Sequence, residues 1–249
     1  NKTLGQRLTS YLETMGPLFI KLGQLLSTRT DILDKTITNE LKRLTDACPP
    51  FETSLAIKSI EESLGVGIDE VFEKFNHAPL AAASLAQVHE AKLIDGSEVV
   101  VKVLRPNIHK SVIKNIKLMK FLGFIASLAI KDSQRLKLKQ VLNDYENTVL
   151  NELDLKIEAS NAIRTKKYFN GNELLKIPTI YQEFSTKDIL VMEKVSGIPC
   201  TNIEEIKKAG LDLKILAENG VKIFLDQVFR DNFFHADMHP GYIFVSNDK

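Results

Sequence analysis

The segment of the chain best suited to chemistry is Phe233–Gly241, which has the sequence FFHADMHPG. Asp237 follows His235 by two positions in it, and kinase folds use an Asp in such a loop to hold a carboxylate near the attacking oxygen. His239 is more typical of a loop-packing residue than of a metal ligand, because no third or fourth ligand lies at a spacing suitable for zinc. The segment therefore predicts a catalytic loop with Asp237 as its base, and the alternative is a solvated turn.

Lys102 lies inside the apolar run Val99–Val103. Burying an ammonium group without an anion is costly, so this lysine needs a partner. In kinase folds the partners are a nucleotide phosphate and a glutamate on a helix, and Glu158 is the candidate glutamate here. The alternative is a lysine on the open face of an edge strand.

A run of small residues precedes the strand of Lys102 by one hairpin. Small side chains let a backbone approach phosphate groups closely. An alanine run alone is more often a feature of helix packing, but its place ahead of Lys102 favours a phosphate-binding loop. We therefore predict nucleotide contacts from Leu80, Ala81, Ala82, Ala83, Ser84, Leu85, Ala86, Gln87 and Val88.

Three acids lie close together in the segment NELDLKIEA. On one continuous helix Asp154 and Glu158 share a face, whereas Glu152 points nearly opposite Asp154, so the three acids cannot all have one role. Because Glu158 is the candidate partner of Lys102, Glu152 and Asp154 are left for other contacts. Lys21 and Gln24 are one helical turn apart and can address one target. For both sets, a solvated helix face is the alternative interpretation.

The elements that position these residues are predicted from periodicity and turn residues. Apolar residues at helical spacing predict helices over 4–26, with a break at Gly16-Pro17, and over 37–44, 55–64, 108–131, 136–169, 203–209 and 213–229. Asp95-Gly96 is a strong hairpin signal between predicted strands 85–93 and 98–104. Further strands are predicted as a pair, 178–184 with 189–195, and at 243–245.

Composition limits the classes of protein and partner. With 249 residues, 44% of them hydrophobic and 26% charged, the chain can bury one large core or two lobes around a cleft. Its net charge of +1 gives no overall attraction to nucleic acid, and no nucleic-acid partner is predicted. Cys48 and Cys200 fit no metal or redox spacing. The longest apolar run, residues 121–130, is far below the roughly 20 residues that span a bilayer, and no signal-peptide pattern is present, so we expect a soluble or membrane-peripheral chain.

Taken together, these residues resemble the UbiB/ADCK family of atypical kinases over about residues 16–245. Lys21–Gln24 matches the family's KxGQ motif, Ala81–Ser84 its Ala-rich loop in place of glycines, and Glu152–Asp154 its ExD motif. The bacterial branch is favoured by Gly16–Ile20 and by the whole of Phe233–Gly241.

The resemblance implies an α+β, protein-kinase-like bilobal fold with an N-terminal helical extension, truncated in the large lobe. Residues 1–75 would be the helical extension with the KxGQ motif, 76–195 the small lobe with a helical insertion, and 196–249 the start of the large lobe with the catalytic loop. Lys102 matches the nucleotide lysine, Glu158 its partner and Asp237 the catalytic-loop aspartate, and Glu193 is placed among the nucleotide-binding residues.

The resemblance also implies cofactors, partners and a location. It implies ATP and Mg²⁺, and a KxGQ helix lying over the cleft where protein substrates would otherwise enter. The expected role is in ubiquinone biosynthesis, with quinone-synthesis enzymes or lipid intermediates as partners. The expected location is the cytoplasmic face of the bacterial inner membrane, by peripheral association.

One residue departs from the family pattern, because Tyr242 stands where the family has an Asn that binds magnesium. A phenol is a poor substitute for an amide carbonyl at a hard cation, so the metal ligands stay open. The second metal aspartate is expected beyond the chain end. Two other functions therefore remain: a nucleotide-dependent scaffold with impaired catalysis, and a small-molecule phosphotransferase, which gives no account of Lys21–Gln24.

Overall fold

The computed structural model describes residues 2–31, 33–44, 48–129, 138–234 and 243–246. The chain divides into two compact units. The first, here the sheet unit, comprises residues 1–158 and 181–191, and the second, the C-terminal unit, comprises 159–180 and 192–249.

Three helices open the sheet unit: α1 (Leu4–Met15), α2 (Pro17–Ser27) and α3 (Lys35–Leu41). Thr3 and Gln6 form a capping box at the start of α1. Gly16, with φ of 102°, separates α1 from α2, and Pro17 occupies the first position of α2, where its missing N–H costs no hydrogen bond. The predicted break at this dipeptide is confirmed.

The sheet follows helices α4 (Thr53–Leu64) and α5 (Ile68–Val71). Its order is β1-β3-β4-β5, with β2 paired to β3. Strands β3 and β4 form the predicted antiparallel hairpin, in which Gly96 has φ of 90° and Asp95 Oδ1 accepts from the Ser97 N–H at 2.8 Å. The strands are β1 (Phe72–Phe75), β2 (Ala81–Ala82), β3 (Ala86–Leu93), β4 (Glu98–Leu104) and β5 (Ile189–Glu193).

The core of the sheet unit lies against one face of β4. Val99, Val101 and Val103 are fully buried there, packed with α4 and β5. Because side chains alternate along a strand, Lys102 projects from the other face. The predicted apolar run with an embedded lysine is therefore a strand with one face in the core and one face that carries Lys102.

Among the described residues, the hairpin is followed by helices α6 (Ile108–Ala129), α7 (Leu138–Glu152) and α8 (Leu155–Tyr168). The prediction of one helix over 136–169 is wrong. The Leu155 N–H, which a continuous helix would direct to Asn151, donates instead to the Lys187 carbonyl at 2.9 Å. Asp154 Oδ1 accepts from the Lys156 N–H at 3.1 Å and caps the new helix.

The later elements depart from the prediction in one place. The segment 178–184 is not a strand, since its pairing there is one isolated bridge, Ile180 to Met192, followed by a 3₁₀ turn, Gln182–Phe184. Helix α10 ends in a π-helical turn, Asp226–Arg230. The remaining elements are β6 (Ile198–Pro199), α9 (Ile203–Lys208), α10 (Leu213–Leu225) and β7 (Phe244–Val245), with β6 antiparallel to β7.

Candidate functional site

Lys102 and Glu158 form an ion pair with 2.6 Å between Nζ and Oε2. Lys102 lies on β4, which has β3 on one side and β5 on the other, so it is not an edge-strand lysine. Its side chain is 28% exposed and that of Glu158 46% exposed. The predicted pair is present, and its role in binding a nucleotide remains a prediction.

The two elements that carry this pair are joined by one turn, residues 186–188. The Leu104 N–H, at the end of β4, donates to the Asp188 carbonyl at 3.0 Å. The Leu155 N–H, at the start of α8, donates to the Lys187 carbonyl at 2.9 Å. Backbone bonds to neighbouring carbonyls therefore fix the lysine strand and the glutamate helix relative to each other.

Two side-chain contacts hold the turn in place. His109 Nε2, at the start of α6, lies 2.7 Å from Asp188 Oδ1, and because a carboxylate only accepts, the ring nitrogen donates. The hydroxyls of Ser63 and Thr186 are 2.6 Å apart. Neither contact was predicted, since each joins residues far apart in the chain.

The alanine-rich segment forms a tight hairpin that ends on β3. Ala81 and Ala82 pair with Val88 and Gln87, and the Ala83 N–H donates to the Ala86 carbonyl at 2.8 Å. No residue from 80 to 88 has a positive φ. The backbone of this turn therefore needs no glycine, which explains why alanines suffice here.

Arg105, three residues after the lysine, pins this turn. Its Nε and Nη2 donate to the Ala83 carbonyl at 3.1 and 2.9 Å, and Nη2 also donates to the Pro49 carbonyl at 2.8 Å. Its backbone N–H donates to the Leu85 carbonyl at 2.8 Å. Sequence reasoning missed this residue, which holds the turn against the end of the lysine strand.

The residues predicted to contact a nucleotide differ in their exposure. Leu80 is 59% exposed, and Ala81 and Ala83 are also exposed. Buried positions cannot offer their side chains to a ligand from solvent. They are Ser84, Leu85, Ala86 and Gln87.

Gln87 belongs to a buried chain of hydrogen bonds. Its Oε1 accepts from the Phe51 N–H at 3.0 Å, and its Nε2 donates to His89 Nε2 at 2.8 Å. His89 Nδ1 then donates to the Asn76 carbonyl at 2.9 Å. Burial lowers the pKa of His89, which favours the neutral ring that this pattern requires. A contact between Gln87 and a nucleotide would therefore have to use its backbone.

The KxGQ and ExD motifs meet through one ion pair, between Lys21 of α2 and Glu152 at the end of α7. Lys21 is therefore paired with an acid and only 23% exposed, whereas the expected position of Lys21 and Gln24 over a substrate cleft remains a prediction. Gln24 does not share this target, because its Nε2 donates to the Leu44 carbonyl at 3.2 Å. Asp154 caps α8, so the two acids of ExD have separate tasks.

Helix α2 is held by close packing at Gly23. A Cβ atom at this position would lie 2.8 Å from Leu12 Cδ1 and closer still to Leu44 Cδ1. The Tyr145 hydroxyl, on α7, donates to the Leu18 carbonyl at 2.5 Å. The glycine of the KxGQ motif therefore permits the approach of the helices, a role that the sequence pattern did not reveal.

Glu193, in the C-terminal unit, is bound on both carboxylate oxygens. Lys176 Nζ lies 2.8 Å from Oε1. The Thr179 N–H and hydroxyl donate to Oε2 at 3.0 and 2.9 Å. The lysine first, and then the threonine, lower the pKa of Glu193 to about 2. Its place in a nucleotide site remains a prediction.

The predicted catalytic loop, with His235, Asp237, His239 and Tyr242, lies outside the described residues. Within the described ranges, no group of three or more His, Cys, Asp or Glu side chains could hold a metal ion. Among the described residues, Lys102 offers an ammonium group, and its binding of a phosphate remains a prediction.

Comparison with known proteins gives matches over nearly the whole chain. A family model described as the ABC1 atypical kinase-like domain matches residues 43–249. The probable protein kinase UbiB of Pseudomonas paraeruginosa (strain DSM 24068 / PA7) is 49% identical over 244 residues, which cover 98% of this chain and 46% of that protein. The protein of the same description from Shewanella frigidimarina (strain NCIMB 400) is 45% identical over 248 residues, covering 99% of this chain and 45% of that one.

A solved structure is similar in fold. The structure of the Rv3197–erythromycin complex from Mycobacterium tuberculosis matches with a TM-score of 0.64 and 24% sequence identity, over 94% of this chain and 59% of that one. Together with the family model, this confirms the predicted α+β, protein-kinase-like fold. The chain spans less than half the length of the two relatives named above.

Proposed function

Because this chain belongs to the ABC1 atypical kinase-like family, we propose that it is the ATP-binding part of an atypical kinase or ATPase of the UbiB type. The observation that carries the proposal is the Lys102–Glu158 pair on the face of β4 opposite the core, beside the turn pinned by Arg105. Such a pair is what phosphoryl-transfer enzymes of the kinase fold use to orient nucleotide phosphates.

The chemistry of Lys102 supports a phosphate ligand. An ammonium group has three donors, and Glu158 takes one of them at 2.6 Å. The side chain keeps 28% of its surface exposed, so further donors can reach an anion from solvent. In this proposal Glu158 orients the ammonium and Lys102 binds the ATP phosphates.

The alanine-rich turn provides the second part of the proposed ATP site. The side chains of Ala81 and Ala83 are exposed and small, so a phosphate can approach the backbone closely. Leu80, 59% exposed, offers apolar surface to the nucleotide. Arg105 keeps the turn fixed and thereby limits the ordering that ATP binding would otherwise require.

Catalysis in this proposal also involves residues other than Lys102, Glu158 and the alanine-rich turn. Asp237 would act as the catalytic-loop base, and Mg²⁺ bound with ATP would neutralise the phosphate charge. The Lys21–Glu152 pair holds α2 to the end of α7, and it supports the idea that the KxGQ helix restricts access of protein substrates. By resemblance, the reaction serves ubiquinone biosynthesis with quinone-synthesis enzymes or lipid intermediates, at the cytoplasmic face of the bacterial inner membrane.

ATP binding by the chain tests the proposal directly. Lys102→Met should lower ATP affinity by about 10- to 150-fold, since a hydrogen bond to a charged group contributes about 1.5–3 kcal/mol. Calorimetric titration with ATP and Mg²⁺ measures this. The matched control is Lys92→Met, because Lys92 pairs with Glu73 at 2.6 Å on the same sheet. Equal ATP affinity in wild type and both variants would contradict the proposal.

A nucleotide-dependent scaffold is the second candidate function, and Tyr242 is the residue that favours it. A neutral phenol, with a pKa near 10, is a weak ligand for Mg²⁺ where the family has an amide carbonyl. The full-length protein should therefore bind ATP but hydrolyse it much more slowly than its Tyr242→Asn variant. Equal hydrolysis rates at saturating Mg²⁺ would remove the case for a scaffold.

A further inference from the structure

Helix α6 has an exposed face that the proposed ATP site does not use. Its buried stripe packs into the sheet unit and against α7 and consists of Ile108, Val112, Ile116 and Met119. Since each residue turns a helix by about 100°, the residues opposite this stripe form one line along the helix. That line consists of Lys110, Lys114, Lys117, Phe121, Phe124 and Ile125.

The exposed line changes character along the helix axis. Its first part carries the three lysines, which are all exposed. Its second part is apolar and equally open, with Phe121 60%, Phe124 61% and Ile125 47% exposed. Clustered exposed apolar side chains of this size mark a surface that contacts a partner, whereas single ones do not.

Among the described residues, no neighbouring acid neutralises the charges on this face. The residues Ile108–Ala129 include no Asp or Glu. Lys120, beside the line, pairs with Glu146 of α7. The three lysines of the line form no ion pair with any residue that the structure describes. The face is therefore cationic at one end and apolar at the other.

A lipid bilayer has the same order of layers, with anionic phosphates outside and acyl chains inside. The apolar part, from Phe121 to Ile125, is five residues long and extends about 6 Å along the helix axis, so a helix that is tilted to the membrane can place it below the phosphate layer. A second copy of this chain placed on the same face would bury part of the lysine row without supplying an acid from α6. Within the described ranges, no helix has both the length and the apolar composition needed to cross a membrane, so the contact is with the surface.

We propose that this face of α6 is the docking surface for an anionic lipid bilayer, with Lys110, Lys114 and Lys117 at the phosphates and Phe121 and Ile125 in the acyl layer. The inference rests on the peripheral membrane association proposed above and assigns the surface that makes it. ATP binding by Lys102 is independent of it.

A single introduced tryptophan tests the contact, because the chain contains no Trp. Phe121→Trp should give a blue-shifted emission when phosphatidylglycerol-containing vesicles are added to the 249-residue chain. Ile94→Trp is the matched control, since Ile94 is 60% exposed on the β3–β4 hairpin, and its emission should not shift. A shift at position 121 that grows with protein concentration without vesicles would instead show self-association and overturn the proposal.

Vesicle flotation then separates the charged and apolar contributions. Changing Lys110, Lys114 and Lys117 to Gln should weaken binding to anionic vesicles roughly 100-fold, because each lysine near such a surface contributes about 1 kcal/mol. The control with the same change in charge is Lys35, Lys42 and Lys74 to Gln, all exposed elsewhere in the sheet unit. Phe121→Ser with Ile125→Ser should lower binding about tenfold or more, whereas Leu4→Ser with Ile94→Ser should not.

The outcomes distinguish the assignment of the α6 surface from membrane association of the chain as such. If the wild type and all variants bind anionic vesicles equally, the chain binds membranes through another surface, and the assignment of α6 is wrong. If the wild type binds neither anionic nor phosphatidylcholine vesicles, membrane association of this chain fails together with the surface. Equal binding to both vesicle types overturns the role of the lysines.

Discussion

Two of the lysine–glutamate pairs in the sheet unit involve glutamates on opposite sides of the helix break at 153–154, and these two pairs are held differently. Lys102–Glu158 joins a central strand to a helix start, and backbone hydrogen bonds to the turn 186–188 fix both elements. Lys21–Glu152 joins α2 to the end of α7, and α2 itself is positioned by close packing of Gly23 against Leu12 and Leu44. We expect the first frame, which backbone hydrogen bonds hold, to survive a change of its side chains, whereas changing one contact should release the second frame, which packing holds. The difference agrees with the two proposed roles, a lysine held in place for ATP and a helix that controls access.

Gly23→Ala should have the largest effect on this comparison, because it breaks the packed frame and spares the backbone frame. The new methyl group would overlap Leu12 and Leu44, and overpacking of this kind costs about 1–3 kcal/mol. Urea unfolding of the chain measures the loss. ATP affinity of the folded protein should stay at the wild-type value, since Lys102 does not depend on α2.

The control for this change has the opposite sign. Gly220, inside α10, has no neighbouring atom within 4 Å of the place that an added methyl group would take, and Gly220→Ala should raise helix stability by up to about 1 kcal/mol. If Gly23→Ala is as stable as wild type, the helices are not held by close packing at the KxGQ glycine. Loss of ATP affinity in that variant would show that the two frames are coupled.

Arg105→Gln should have the next largest effect, on the ATP side of the comparison. Its guanidinium donates to the carbonyls of Ala83 and Pro49, so its loss frees the alanine-rich turn. We expect about 1 kcal/mol of lost stability and roughly fivefold weaker ATP binding, because ATP must then order the turn. Arg43→Gln is the control, since Arg43 pairs with Glu40 on the surface. Unchanged ATP affinity in Arg105→Gln would show that the turn needs no such anchor.

Lys21→Met should have a smaller effect on stability and a distinct effect on activity. The pair with Glu152 is partly exposed, so a double-mutant cycle with Glu152→Gln should give a coupling of at most about 1 kcal/mol. ATP affinity should not change. In the full-length protein, phosphate transfer to a protein substrate should rise, because α2 is released from the end of α7. An unchanged or lower transfer rate would contradict an access-controlling role of the KxGQ helix.

How far the sequence predicted these features depends on how local their causes are. The hairpin and the strand of Lys102 follow from alternation and from Asp95-Gly96, which act within a few residues. The break before α8 does not, because its cause is the Lys187 carbonyl, far along the chain. The prediction of one continuous helix assigned Glu152 and Asp154 to separate contacts. That separation is correct, but its cause is the helix break between the two residues and not their positions around one helix.

The candidate site shows the same limit. The ion pair of Lys102 could be predicted, since a lysine in an apolar strand requires an anion and α8 offers Glu158. The anchoring by Arg105 could not, because an Arg-Pro pair gives no signal for a carbonyl that lies before the hairpin. Asp237 lies outside the described residues, and its catalytic role stays a prediction.

A third pair, Lys176–Glu193 in the C-terminal unit, should give the smallest effect, and it appears in the pH dependence of stability. The folded pKa of Glu193 is about 2, below the value of about 4.3 for an unfolded glutamate. The unfolded chain therefore binds more protons between these values, and stability rises with pH across that window. The contribution is fully present above the unfolded pKa and is lost as pH falls toward about 2.

Glu193→Gln should remove this contribution, so its urea midpoint should lie below that of the wild type near pH 6 and approach it as the pH is lowered toward about 3. The backbone bond from the Glu193 N–H to the Thr179 carbonyl at 2.8 Å is unaffected by the change, which limits the loss to the carboxylate. Glu183→Gln is a control, since Glu183 is exposed in the turn Gln182–Phe184. A constant difference between Glu193→Gln and wild type at all pH values would show that packing of the side chain, and not its charge, stabilises the end of β5.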